Sequence, residues 1–271
     1  MSPFLQKLQA AVRRNRSLVC VGLDPDPDRF PPAVRDAADP IFAFNRAIIE
    51  QTADAVCAYK LNLAFYEVAG PAGLEALERT VKAIPDDVPV IADAKRGDID
   101  NTARMYARAL FEYYRFDAAT VNPYMGRDAV QPFLDYRDRG VFVLCLNSNP
   151  TAHDIQHLTV DGRPLYLRIA EMVNEWNAHG NCGLVVGATN AESLGGIRAI
   201  VPEMPLLIPG IGAQGGDLQT VVAHGTDRNG EGILVNASRS ILYAAAADFA
   251  TAARSAVITL RDEMNRLRSV R

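Results

Sequence analysis

Eight short apolar runs, each separated from the next by helix-forming sequence, constrain this chain more than any other feature in it. They are SLVCVGLD (17–24), AVCAYKLN (55–62), VPVIADAK (88–95), DAATVNP (117–123), GVFVLCLNS (140–148), GLVVGAT (183–189), MPLLIPG (204–210) and EGILVNAS (231–238). Apolar residues at consecutive positions leave a strand no side for water, so such strands belong in a parallel sheet covered by helices. Between them, stretches such as IFAFNRAIIEQTA (41–53), GLEALERTVKAI (73–84), NTARMYARALFEYYR (101–115), YLRIAEMVNEWNAHG (166–180) and ILYAAAADFATAARSAVITLRDEM (241–264) carry the helical period. Eight such units in 271 residues predict a closed (β/α)8 TIM barrel, a single α/β domain over 1–271. An open doubly wound sheet would show fewer strands and a GxGxxG after the first, and none follows residue 24. Residues 148–165 read as a long polar loop, a length that is uncommon unless functional.

Composition narrows the function classes. The net charge is −4 and Lys and Arg are scattered, so there is no basic footprint for nucleic acid, although a small anionic ligand stays open. The first residues, MSPFLQKLQAAVRRNRS, lack the apolar core of a signal peptide, and no run approaches the roughly 20 apolar residues of a membrane span. The expectation is a cytoplasmic protein with no membrane partner. Cys20, Cys57, Cys145 and Cys182 are far apart without a CxxC pair, which points to buried reduced thiols rather than zinc or redox chemistry.

In a barrel of this kind the strand C-termini and the loops after them carry the active site. Asp24 ends the first run, Lys60 sits in the second, Asp93 and Lys95 in the third, Asn122 in the fourth, Ser148 in the fifth, and Ser238 and Arg239 follow the eighth. Asp93 and Lys95 are two apart, so strict strand alternation puts both side chains on one face, inward at the barrel mouth, with Asp98 beyond the strand. A D-x-K-x-x-D string on its own is compatible with an ion-pair staple, a metal site or a catalytic array. PGIGAQGGD (209–217) offers backbone that a ligand can approach closely, and with Arg239 it suits the phosphate site that such barrels build after strands 7 and 8.

Taken together and in order, GLDPD (22–26), YKLNLAFYE (59–67), DAKRGDI (93–99), TVNPYMG (120–126), LNSNP (146–150), PGIGAQGGD (209–217) and NASRSI (236–241) resemble the orotidine 5′-phosphate decarboxylase family in its longer bacterial form. The resemblance covers nearly the whole chain, and DxKxxDI followed by Thr102 is its most specific signature. It implies decarboxylation of orotidine 5′-monophosphate to uridine 5′-monophosphate with no metal or organic cofactor. It implies that Lys95 stabilises the carbanion and protonates it, that Asp93 crowds the departing carboxylate, and that Lys60 and Asp98 complete a Lys–Asp–Lys–Asp network. Asp24 and Lys60 would hold ribose hydroxyls, Ser148 would read the pyrimidine edge, and Gln214 with Arg239 would grip the phosphate. Ile99 and Pro209 join the substrate-binding set, and Asp98 and Thr102 would reach the neighbouring site of a homodimer. Two positions depart from the pattern: Pro150-Thr151 where many relatives have Pro-Gly, and Ser238 where others have glycine before the arginine.

Two other readings compete. A metal-dependent sugar-phosphate decarboxylase or aldolase of the same barrel group also carries DxKxxD, but has an acidic metal ligand where this chain has Lys60. A non-catalytic nucleotide-binding barrel would need the glycine loop and Arg239 but none of Asp93, Lys95 or Asp98.

Overall fold

The computed structural model describes residues 1–211 and 217–268. Its centre is a closed barrel of eight parallel strands in sequential order: β1 (Val19–Gly22), β2 (Ala58–Asn62), β3 (Val90–Arg96), β4 (Ala118–Val121), β5 (Gly140–Leu146), β6 (Cys182–Val186), β7 (Leu206–Pro209) and β8 (Ile233–Ala237). Pairing of Val19 with Val235 closes the ring between β1 and β8. Each strand matches one of the eight apolar runs, β3 running one residue past its run and β6 starting one residue before its own. β1, β4, β6 and β8 are buried along their whole length, as strands covered by barrel interior on one side and helices on the other must be.

Helices cover the outside and one end. Ser2 caps the first, Pro3–Asn15, accepting from the Leu5 N–H, and Pro3 occupies the first turn where no N–H is needed. This helix lies across the N-terminal ends of β4 and β5. Phe4 packs edge-on against Phe142 with ring centres 5.9 Å apart, and it occupies the space a side chain at Gly140 would need. The opposite end, where the strands finish, is left for loops. Among the described residues no helix is long and apolar enough to cross a membrane.

Three expectations change in detail. The C-terminal helical stretch divides into Arg239–Leu242 and Phe249–Arg268. The break follows from Tyr243, whose hydroxyl accepts the Asp26 N–H at 2.7 Å while Arg29 stacks on its ring, contacts that a continuous helix would pull apart. The helix after β3 runs from Asp100 to Arg108 and finishes in a wider π turn, Ala109–Tyr113. Residues 148–165 are not structureless: they hold a 3-10 turn at Pro150–Asp154 and a small hairpin pairing Thr159–Val160 with Arg163–Pro164. The hairpin turns at Asp161-Gly162, both at positive φ, the geometry a two-residue Asp-Gly hairpin loop needs. The four cysteines are buried and unbridged, and burial pushes the thiols of Cys20, Cys145 and Cys182 up to about 12.

Candidate active site

A cleft of about 370 Å³ opens at the C-terminal mouth of the barrel, and Asp24, Lys60, Asp93, Lys95, Pro209 and Arg239 all line it. Six strand-end residues from five different strands meet there because each strand delivers its last residues to the same rim.

At its floor is a chain of charges. The Lys60 ammonium, with its side chain 4% exposed, donates to Asp93 Oδ2 at 2.7 Å and stands 3.9 Å from Asp24 Oδ1. Lys95 Nζ donates to the other oxygen of Asp93, Oδ1, at 2.5 Å. Burial alone would pull the Lys60 ammonium down, but Asp24 and Asp93 outweigh it and hold its pKa above the ordinary lysine value. Burial would likewise raise Asp93, whose side chain is 11% exposed, yet Lys60 and then Lys95 hold its carboxyl well below the usual range. Asp93 is therefore a carboxylate between two cations at any physiological pH.

The inward aim of Lys95 has a different cause from simple alternation. Between the pairs Ala92–Ala119 and Arg96–Val121, β3 has three residues where β4 has one, a bulge with two extra residues. Within it Lys95 has φ +48°, a conformation that disfavours residues with a side chain. Asp93 and Lys95 share a face as expected, but a re-aimed strand end puts them there.

The remaining residues of the predicted set divide. Arg239 opens the short helix after β8, and among the described residues it has no carboxylate partner. Asp98, Ile99 and Thr102 do not join the cluster: the Asp98 carboxylate accepts from its own neighbour's N–H, Ile99 is 58% exposed, and Thr102 lies in the first turn of the helix from Asp100. The Ser148 hydroxyl is buried against Gly187 with no hydrogen-bond partner among the described residues. Gln214 lies outside the described residues.

Four residues in and beneath the cleft were given no role by the sequence reading of the site. Asn62 meets Asp24 through its backbone N–H at 3.2 Å. Ser238, placed by the sequence after the eighth run but given no role there, donates to Asp24 Oδ2 at 2.7 Å, and its hydroxyl fills the space that a side chain on Gly22 would take. Asn236 lines the cleft, and its buried Oδ1 has no partner among the described residues, an expense that functional sites accept more often than cores do. Thr120 bonds to Asp93 and to the Lys95 backbone. Polar residues inside strand-like apolar runs were the available signal for all four.

Residues 17–256 match the family described as orotidine 5′-phosphate decarboxylase / HUMPS. The chain belongs to that family. An orotidine 5′-phosphate decarboxylase of Roseiflexus sp. (strain RS-1) is 50% identical over 265 residues, 97% of each chain, and one of Thermomicrobium roseum is 52% identical over 98% of this chain and 96% of its own. Among solved structures, the OMP decarboxylase of Leishmania donovani superposes with a TM-score of 0.87 at 41% identity, covering 99% of this chain and all of its own. The UMP synthase of the same organism gives 0.89 at 43% identity, with this chain spanning 57% of its length. As a member of the decarboxylase family, the chain carries its barrel and a DxKxxD array at the end of β3.

Proposed function

We infer that this chain is an orotidine 5′-phosphate decarboxylase, a carbon–carbon lyase. It converts orotidine 5′-monophosphate into uridine 5′-monophosphate and CO2, the last step of de novo pyrimidine nucleotide synthesis. The observation that carries the reading is the Lys60–Asp93–Lys95 array at the floor of the cleft, in a chain half identical to relatives of that name.

The chemistry calls for such an array. When the bond from C6 to the carboxylate carbon breaks, its electron pair stays on C6 in the plane of the ring, where the pyrimidine π-system cannot delocalise it. In our reading Lys95 places its ammonium beside that pair, stabilises it, and transfers a proton to C6, later regaining one from water. Asp93 faces the substrate carboxylate as a second anion. Repulsion between two such charges about 4 Å apart is worth on the order of 4 kcal/mol at an effective dielectric near 20. Enzymatic barrier reductions run to roughly 8–23 kcal/mol, so stabilisation of the carbanion by Lys95 has to supply much of the rest. Lys60 keeps Asp93 ionised and, with Asp24, is placed to hold ribose hydroxyls. Ser148 would read the pyrimidine edge. The ammonium of Lys60 between Asp24 and Asp93 also opposes a metal ion on those same carboxylates, which counts against the sugar-phosphate reading. The test is to incubate chelator-treated protein with orotidine 5′-monophosphate: formation of UMP and CO2 in equal amounts is expected, and a requirement for added magnesium would overturn the reading.

We place the phosphate at Arg239, with Pro209 beside it, and the family resemblance adds Gln214 to the phosphate-binding set. Arg239→Ala should lower kcat/KM for the phosphorylated substrate roughly 100-fold, the worth of a bidentate charge-assisted contact, and leave turnover of orotidine almost unchanged. Equal losses with both substrates would make Arg239 structural.

The proposal extends to a homodimer with shared sites. Asp98, Ile99 and Thr102 do not line their own cleft, and Ile99, Met105, Tyr124 and Met125 are all exposed, Tyr124 to 82%. A second copy related by a two-fold axis would cover them and bring Asp98 to its partner's cleft. Lys95→Ala and Asp98→Ala chains, each inactive alone, should recover activity when unfolded, mixed in equal amounts and refolded. Half the dimers are then mixed and half their sites intact, so about a quarter of wild-type activity is expected. Mixed dimers without activity would assign Asp98 to its own chain. The buried, unbridged cysteines fit a reducing compartment, which supports the cytoplasm as the place of work.

A further inference from the structure

Thr120, on β4, is 1% exposed and does not line the cleft, yet its hydroxyl makes two bonds at the catalytic array. It accepts the Lys95 backbone N–H at 3.0 Å and donates its own proton to Asp93 Oδ1 at 3.0 Å. The directions are forced. An amide can only donate and a carboxylate can only accept, so the one hydroxyl proton goes to Asp93 and a lone pair takes the amide. Asp93 Oδ1 is the same oxygen that receives the Lys95 ammonium.

The bulge explains why such a clamp is needed. Ordinary pairing would bond the β3 amides to β4 backbone, but two extra residues put the Lys95 N–H out of register with it. The strand end is fixed beyond Lys95, where the Asn122 N–H bonds to the Arg96 carbonyl at 2.8 Å and Arg96 pairs with Glu67. Gly97 is pressed so closely on the Asn122 carbonyl that a side chain there would collide with it. Between these fixed points Lys95 occupies its disfavoured left-handed conformation, and its remaining backbone donor is satisfied by a side chain.

We propose that Thr120 is a positioning residue for the decarboxylation: its hydroxyl locks the bulged backbone of Lys95 and the carboxylate of Asp93 to each other, so that the ammonium is aimed before substrate arrives. The inference rests on the decarboxylase reading above and goes beyond it, since Thr120 does not line the cleft and acts through Lys95 and Asp93. Valine keeps the shape of threonine while removing both bonds, leaving the Lys95 amide unpaired and its backbone free to relax out of the left-handed region. A displacement of about 1 Å at a reacting group costs on the order of 100-fold in rate.

The experiment compares wild type, Thr120→Val, Thr120→Ala and Thr120→Ser by single-turnover rate with orotidine 5′-monophosphate and by affinity for the product UMP. The Val and Ala variants should lose about 100-fold in rate with UMP affinity little changed, and Ser, which restores the hydroxyl, should recover most of the rate. A merely structural threonine would move rate and UMP affinity together, or would not be rescued by serine. Either of those results, or undiminished rates in the Val and Ala variants, overturns the proposal. If valine prevents folding, the alanine and serine variants carry the same comparison. A wild type that binds UMP but leaves the substrate intact would refute the decarboxylase reading itself, a different failure from an unaffected Thr120 variant of an active enzyme.

Discussion

Replacing Lys95 with alanine should lower the single-turnover rate with orotidine 5′-monophosphate by about 10⁴-fold or more while UMP still binds. Two contributions are lost together. Removing a preorganised charge from a developing anion costs about 10²–10³, and removing a positioned proton donor costs about 10²–10⁴. Binding should survive because ribose and phosphate are assigned to Asp24, Lys60 and Arg239, which the substitution leaves in place. The change should thus fall on the chemical step rather than on KM. A rate within tenfold of wild type would remove Lys95 from the mechanism.

Asp93→Asn should be damaging in two separate ways. The amide cannot accept from both lysines as an anion does, so Lys95 loses its tether, and the repulsion against the substrate carboxylate vanishes. The fold also suffers: Lys60 stays buried with only Asp24, 3.9 Å away, to balance it. Breaking a buried pair by removing one partner costs about 3 kcal/mol or more, readable as a lower denaturation midpoint. The pH dependence of that gap is fixed in sign. Asp93 has its folded pKa held below the ordinary value, so its contribution is complete above pH ~4 and is lost as the pH falls through the depressed folded value. Lys60 has its folded pKa raised, so its share is complete below pH ~10 and fades as the pH climbs through the folded value. The difference between wild type and variant should be flat across neutral pH and shrink toward strong acid and strong base. A gap that widened in acid would contradict this assignment of charges.

The barrel was legible because its strands are apolar on both faces, a pattern that sheets facing water on one side do not produce. Val19–Gly22 and Cys182–Val186 show it most cleanly, each wholly buried. The charged floor was legible for a related reason: Lys60 and Asp93 are charges in sequence that is otherwise apolar, and nothing but function or pairing keeps such residues there. What stayed hidden is what depends on three dimensions. Nothing in VPVIADAK announces a bulge, since Lys95 takes positive φ without being glycine. Thr120 and Asn236 look like ordinary strand residues until their hydroxyl and carboxamide are seen at the array and the cleft. The break at Tyr243 is invisible in a helix-forming run of alanines, because its cause is Asp26, 217 residues away. Asp98 read as part of the network, whereas within one chain it does not line the cleft and accepts from the Ile99 N–H; the proposed second copy is what would bring it to a site.

The central claim is that CO2 leaves to give a carbanion at C6 that an exchangeable acid of the protein then protonates. Running the reaction to completion in D2O with chelator-treated protein and reading the product by NMR tests it most directly. One deuterium at C6 of each UMP formed, with no metal added, is the predicted result. Protium at C6 of product made in D2O, or no turnover until a metal is supplied, would contradict it.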